Sequence, residues 1–263
     1  MSTRRAIFIT GAASGMGRET ARLFAARGWF VGAYDIDAAG LDSLANELGP
    51  DAGLFAPLDV SDRAAYLAAI ERFGAASGGR MDLLFNNAGI GAGGYFDEQP
   101  WETIERIVSV NLLGVLGGIH AAMPLLKATP NALCFSTSSA SAIFGAAGIA
   151  VYSATKHAVK GFTEALSVEL SRHGIRAADV LPGLIDTPIL PERVRAGAAT
   201  EGMWRLLPPV AVAEAVWAAY HEDKLHWYVP PELAAFDVQV TAEPERARDE
   251  RKRLLAERKG FAP

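Results

Sequence analysis

Along the chain, short runs of Val, Ile, Leu and Phe alternate with longer stretches of helical periodicity. The short runs fall at residues 6–10, 30–34, 53–57, 82–85, 132–136 and 175–181, and the longer patterns at 18–27, 41–48, 64–73, 101–126 and 150–172. Near-continuous apolar runs of this length suit strands buried on both faces, and their alternation with helices is the pattern of βαβ units. Local punctuation agrees: Gly49-Pro50 closes the second helix, Ser61-Asp62 offers the third a cap, and His173-Gly174 stops the fifth. A further helix at 212–220 and a short strand at 226–229 follow. The prediction is an α/β fold: a doubly wound parallel sheet of about seven strands with helices on both faces, residues 1–263 forming a single domain.

Two segments break the pattern. Residues 182–209 carry Ile189, Leu190, Met203, Trp204, Leu206 and Leu207 in an irregular stretch. A long loop with its own apolar side chains suits a substrate lid, placed at 188–209. The charged tail at 241–263 contains ERARDERKRLLAERK (245–259), whose mixed charge and helical composition predict a solvated terminal helix.

Charge and cysteine content narrow the partners. With 25 Lys and Arg against 30 Asp and Glu, the net charge is -5, which gives no general attraction to nucleic acid or an anionic membrane. The apolar run after Arg4 and Arg5 stops at Gly11, too early for a signal peptide, and the stretch 112–126 is broken by His120 and three glycines and falls short of a membrane span. The single cysteine, Cys134, excludes an intrachain disulfide and reads as a small buried hydrophobe. The expectation is a cytoplasmic protein that meets a small molecule.

The first strand runs into Thr10-Gly11-Ala12-Ala13-Ser14-Gly15-Met16-Gly17, and a helix follows. Strand, glycine turn and helix N-terminus together present backbone N–H groups to a diphosphate. The second strand ends at Asp35, about 20 positions on, where a dinucleotide fold uses a carboxylate for the ribose hydroxyls. That carboxylate repels a ribose 2′-phosphate, and Ser14 adds no compensating charge, so the cofactor expected is NAD rather than NADP. Asp35 or Asp37 can also cap the next helix.

Tyr152 and Lys156 lie four apart in a helical stretch and share one face. A phenol titrates near 10, about three units above a useful base at neutral pH, and an adjacent ammonium stabilises its ionised form. Such a tyrosine can take a hydroxyl proton as hydride leaves carbon, and return it in reverse. Ser136, Thr137, Ser138, Ser139 and Ser141 crowd the end of the fifth strand, the edge where open α/β sheets bind ligands, and composition does not choose among them. Asn111 is an amide in an apolar helix and needs partners, since an unpaired buried amide costs about 1 to 3 kcal/mol. His120, His157, His173, His221 and His226 form no ligand pattern, so no metal is expected.

In order and spacing these residues resemble the short-chain dehydrogenase/reductase family from Thr10 to about Thr187. The likeness rests on the glycine turn, Asp59-Val60, Asn86-Asn87-Ala88-Gly89, Asn111, Ser139, Tyr152-Ser153-Ala154-Thr155-Lys156 and Pro182-Gly183-Leu184-Ile185-Asp186-Thr187. The resemblance implies a Rossmann fold with a dinucleotide held by Gly11, Ser14, Gly15, Met16 and Gly17, by Asp35 with Ile36, by Asp59 at the adenine amino group and by Val60 beside the ring. It further implies Asn87, Ala88, Gly89 and Val110 along the cofactor, and Pro182, Gly183, Ile185 and Thr187 around its nicotinamide end. Asn111, Ser139, Tyr152 and Lys156 become the catalytic group, with Tyr152 and Lys156 also touching the cofactor. Ser139 would bond the substrate oxygen, and Asn111 would hold a water linking Lys156 to solvent.

The apolar lid, with Phe144 and Ile149 between Ser139 and Tyr152, suits a hydrophobic secondary alcohol or its ketone. The expected activity is therefore NAD-dependent alcohol oxidation or ketone reduction. The alternatives are an NADP-dependent carbonyl reductase, a catalytically silent NAD-sensing binding protein, and a lyase or epimerase that the glycine spacing disfavours. The apolar helix 101–126 and the helix of Tyr152 resemble the pair through which family members dimerise, so a homo-oligomer is expected, with a tetramer in doubt because the chain ends in a charged tail.

Overall fold

The computed structural model describes residues 4–257; residues 1–3 and the end of the predicted tail, 258–263, lie outside the described residues. In chain order the elements are β1 (Ala6–Thr10), α1 (Gly15–Ala26), β2 (Phe30–Asp35), α2 (Ala38–Leu48), β3 (Gly53–Pro57), α3 (Arg63–Ser77), β4 (Leu83–Asn86), α4 (Trp101–Val108) and α5 (Gly114–Ala128). They continue with β5 (Leu133–Thr137), α6 (Ala150–Glu169), β6 (Arg176–Pro182), α7 (Glu192–Ala196), α8 (Val210–His221), β7 (His226–Val229), α9 (Leu233–Ala242) and α10 (Pro244–Glu257).

All seven strands are parallel, in the order β3-β2-β1-β4-β5-β6-β7. The order reverses between β1 and β4, so their carboxyl ends open a crevice where such sheets bind ligands. The two faces follow from period-2 alternation. Ile7 and Ile9 pack with Phe24, Leu44, Val212 and Val216 under α1, α2 and α8, while Ala6 and Phe8 pack with Tyr66, Phe73, Ile119 and Leu126 under α3 and α5. Phe8 stacks on Tyr34 at 4.2 Å and meets Phe73 edge-on at 5.3 Å, which knits β1, β2 and α3.

Three expectations need correction. First, α4 and α5 form one continuous helix through a π-helical segment, Ser109–Leu113, and this helix, Trp101–Ala128, has the length and mean hydropathy (1.6) of a membrane span. The stretch 112–126 alone is too short to span; it is the longer continuous helix that passes on length and hydropathy. Val115, Ile119, Ala122 and Leu126 instead pack into the sheet layer. Second, the sequence pattern assigns no helix between the strand at 226–229 and the tail at 241–263, but α9 forms there, with Leu233 and Val240 buried. Third, α10 is not wholly solvated. Ala247 is buried in a third apolar cluster with Ile143, Leu181, Leu233 and Val240, and Arg251 lies over the rings of Phe144 (4.2 Å) and Phe236 (5.4 Å).

Candidate active site

The turn after β1 has no room for side chains. Gly11 and Gly15 have φ of +69° and +52°, in the left-handed region. A Cβ on Gly17 would stand 2.1 Å from the Gly11 carbonyl oxygen. Asp35 anchors the turn, its two carboxylate oxygens accepting from the N–H groups of Ala13 and Asp37, each at 3.0 Å. Asp37 is the one that caps α2, accepting from Gly40 N–H at 3.0 Å. Asn87, just past β4, clamps the turn from the other side. Its Nδ2 donates to the carbonyls of Thr10 (3.1 Å) and Gly11 (3.2 Å), and its backbone N–H and that of Ala88 donate to Thr10 Oγ1 at 3.0 and 3.1 Å. The side chain of Asn87 is thus engaged with the framework.

From this turn a cleft of about 840 Å³ runs along the carboxyl edge, within the usual range for ligand pockets. Gly11, Ser14, Gly15, Met16, Asp35, Ile36, Asp59, Val60, Asn87, Ala88, Gly89, Val110, Tyr152, Lys156 and Thr187 all line it. Gly17 lies beneath the turn, and Pro182, Gly183 and Ile185 stand behind the wall, where Gly183 N–H donates to Val229 O (2.7 Å) and Ile185 pairs with Leu207. The wall also includes Leu58, Ser61, Ile90, Gly91, Glu105, Arg106, Ser109 and Pro188, which sequence reasoning missed. Most flank motif residues directly, and Glu105, Arg106 and Ser109 share with Val110 the 3.6-residue period of their helix. At the end near Asp59, Ser61 donates to its carboxylate from Oγ (2.6 Å) and N–H (2.9 Å), and with Arg106 nearby this holds the Asp59 carboxyl below its ordinary value.

At the opposite end, Tyr152 and Lys156 project from α6. Ser139, in extended backbone just past β5, places its hydroxyl within hydrogen-bonding reach of the Tyr152 phenol. Of its neighbours, Ser138 bonds Asp179 away from the cleft, while Thr137 lines the cleft and bonds Asn87. Lys156 donates to Thr137 O at 2.8 Å and lies 5.6 Å from the Tyr152 ring centre. Burial pushes the Lys156 ammonium down to about 8. It also pushes the Tyr152 phenol above its ordinary value, with Ser139 pulling it back.

Asn111 sits in the π-helical segment and is fully buried. Its Oδ1 accepts from Ile90 N–H (2.8 Å) and its Nδ2 donates to Ile90 O (2.9 Å), which braces the loop after β4. A Cβ on Gly89 would come 3.3 Å from Asn111 Oδ1 and 3.6 Å from Lys156 Nζ, so the bare Gly89 backbone separates the two polar groups.

The predicted lid divides. Ile189 lines the cleft, Leu207 packs under the sheet, Met203 joins the apolar cluster beside Ile143, and Trp204 meets Phe236 of α9 edge-on at 5.6 Å. An ion pair between Arg205 and Glu232 (2.8 Å) adds a second tie from this segment to the C-terminal helices.

Comparison with known proteins agrees with this geometry. A family model described as short chain dehydrogenase matches residues 5–197. Momilactone A synthase of Oryza sativa subsp. japonica is 41% identical over 184 residues, covering 69% of this chain and 66% of that protein, just under two thirds of its length. Levodione reductase of Leifsonia aquatica is 36% identical over 201 residues, 72% of each chain. The crystal structure of a short chain dehydrogenase/reductase from Burkholderia phymatum in complex with NAD superposes with a TM-score of 0.81 at 26% identity, over 93% of this chain and 95% of that one. The chain belongs to the short-chain dehydrogenase/reductase family of oxidoreductases.

Proposed function

We propose that the protein is an NAD-dependent oxidoreductase that interconverts an apolar secondary alcohol and its ketone, with Tyr152 as general acid and base. The observation that carries this reading is one continuous cleft with a glycine turn and Asp35 at one end and Tyr152 and Lys156 in its wall at the other, with Ser139 beside the phenol. The residues fit a dinucleotide. The glycines leave a cradle that any Cβ would fill, Asp35 sits where ribose hydroxyls need an acceptor, and the cations among the lining residues, Arg106 and Lys156, both lie away from Asp35 in the chain's own pairing, Arg106 with Asp59 and Lys156 with Thr137 O. Asp35 therefore disfavours a 2′-phosphate, which supports NAD over NADP.

A bound nicotinamide dinucleotide supplies a site that accepts or donates hydride. The chain's residues handle the proton and the oxygen. Ser139 donates to the substrate oxygen and holds it against the Tyr152 hydroxyl, and Tyr152 takes the alcohol proton in oxidation or returns it in reduction. Lys156, fixed by Thr137 O, keeps a positive charge beside the phenol, and its proton compensates the developing phenolate. Asn111 holds the loop that carries Gly89 and so keeps Lys156 and the cleft floor at fixed separation. Ile189 and Phe144 supply apolar surface for a hydrocarbon ring or chain, in keeping with the ketone named for the Leifsonia relative.

The test is a panel of alicyclic and aryl secondary alcohols and ketones with NAD(H) and NADP(H), followed at the reduced-nicotinamide band. Turnover of apolar members with NAD(H) at least tenfold better than with NADP(H) is expected; equal use of both cofactors refutes the Asp35 argument. We further propose a homo-oligomer, because Phe96, Trp101 and Leu113 leave an exposed apolar face along α4 and α5. Light scattering showing a monomer at micromolar concentration would remove that part.

A further inference from the structure

On α6, polar residues recur every fourth position from the active site downward: Tyr152, Lys156, Lys160 and Glu164. Each has its own partner. Tyr152 faces Ser139, Lys156 donates to Thr137 O at 2.8 Å, Lys160 pairs with Asp237 of α9 at 2.8 Å, and Glu164 reaches His226 of β7 at 3.4 Å. His226 in turn meets Asp179 of β6, Nδ1 to Oδ1, at 2.7 Å. Asp179 is wholly buried in the middle of the sheet, and its other oxygen accepts from Ser138 Oγ at 2.5 Å. Ser138 also donates its N–H to Val180 O at 2.9 Å, and the next residue is Ser139.

We propose that the buried Asp179 carboxylate, held between Ser138 and His226, is a positioning residue for the reacting phenol. It fixes the strand end that presents Ser139, while His226 ties the same carboxylate to Glu164 on the helix that presents Tyr152. The Ser139–Tyr152 hydrogen bond is thereby braced from both sides, β5 through Ser138 and α6 through Glu164. This inference rests on the proposed role of Tyr152.

The position is an expensive one for a charge. A carboxylate in the centre of a parallel sheet has a large desolvation cost, and burial pushes Asp179 above its ordinary value even though His226 and Ser138 pull it down. Apolar side chains of similar volume hold sheets together at least as well. What the carboxylate adds is direction, since two donors converging on it fix the Ser138 rotamer and the β7 ring in one arrangement. The charged and titratable groups around it are His226 and Tyr228 of β7, Lys160 and Glu164 of α6, and Asp237 of α9, which takes both Lys160 and the Tyr228 hydroxyl (2.7 Å). Facing Tyr152 itself are Ser139 and Lys156.

The consequence is spectroscopic. The Ser139 hydrogen bond lowers the pH at which Tyr152 ionises, so loosening Ser139 must raise it, whereas a merely structural Asp179 would lower melting temperature and leave that midpoint alone. The experiment is an ultraviolet phenolate titration of the full-length protein saturated with NAD, taken as the difference from Tyr152→Phe so that one tyrosine is isolated. Asp179→Asn and Ser138→Ala are each expected to shift the midpoint upward by about half a pH unit or more, and Ser138→Thr, which keeps the hydroxyl, to restore it. Ser138→Ala decides the matter should Asp179→Asn fail to fold, because it leaves the Asp179–His226 pair in place. If Tyr152 ionises but its midpoint is the same in Ser138→Ala as in the unmodified protein, the positioning role is overturned alone. If no dinucleotide binds, or no Tyr152 signal emerges below about pH 11, the reading of Tyr152 fails and takes this inference with it.

Discussion

The two ends of the cleft are built by different means. At the glycine-turn end, strand termini are locked by short polar side chains bonded to backbone groups, Asn87 to Thr10 and Gly11 and Asp35 to Ala13, around glycines with no space for a Cβ. Beyond the Tyr152 end, outside the cleft lining, side chains from segments far apart in the chain pack together: Phe144, Trp204, Phe236 and Arg251 form a ladder of ring contacts across the loop after β5, the 183–209 segment, α9 and α10. A turn whose glycines have no space for a Cβ tolerates almost no substitution there. Packed rings can change while keeping their place, which is how one fold serves many alcohols and ketones.

That contrast can be broken at several points. Gly17→Val puts side-chain atoms where the Gly11 carbonyl already stands, 2.1 Å from a Cβ, so we expect NADH binding to weaken about 100-fold, about 3 kcal/mol, measured by fluorescence titration. Lys156 joins the two ends, and its pKa of about 8 against an ordinary 10.5 has a thermodynamic signature. Between these values the unfolded chain keeps a proton that the folded chain has lost, so stability rises with pH across that window by up to about 3 kcal/mol. Denaturant unfolding of Lys156→Met should lack that rise. Asp35→Ala should narrow the NAD over NADP preference by about tenfold, about 1.4 kcal/mol, in paired kcat/KM measurements. We propose that the ring packing beyond the Tyr152 end backs the substrate space: in Trp204→Ala, which removes one ring pair from it, KM for an apolar ketone should rise about threefold to fivefold with the NADH Kd unchanged. A Trp204→Ala effect on NADH equal to its effect on ketone would erase the distinction between the two ends.

The same contrast explains what could be read from the sequence. The strands and the glycine turn were legible because a doubly buried strand is a run of apolar residues and a turn without side chains is a run of glycines. The cleft lining followed where a motif residue marked a strand end, as at Asp35, Asp59 and Asn87, and its missed members were chiefly their neighbours or, as with Arg106, one helical period away. The ring packing beyond the Tyr152 end was legible only in part. Apolar residues at 189–207 announced a surface to be covered, but nothing local said that Trp204 would meet Phe236 or that Arg251 of a charged tail would lie on Phe144. The π-helical segment at Asn111 was equally hidden, because it is set by the amide's bonds to Ile90, 21 positions away. Nor could spacing reveal that burial raises the Tyr152 phenol against the pull of Ser139, since the four-residue interval fixes a shared face and says nothing of solvent.

The central claim, that Tyr152 moves the proton in a hydride transfer between a nicotinamide dinucleotide and a secondary alcohol, is tested most directly by Tyr152→Phe, which removes one oxygen and keeps the ring. Turnover of the best alcohol or ketone in the panel should fall by about 10²-fold or more, while the Kd for NADH stays within twofold of the unmodified protein. Undiminished turnover in Tyr152→Phe would contradict the account.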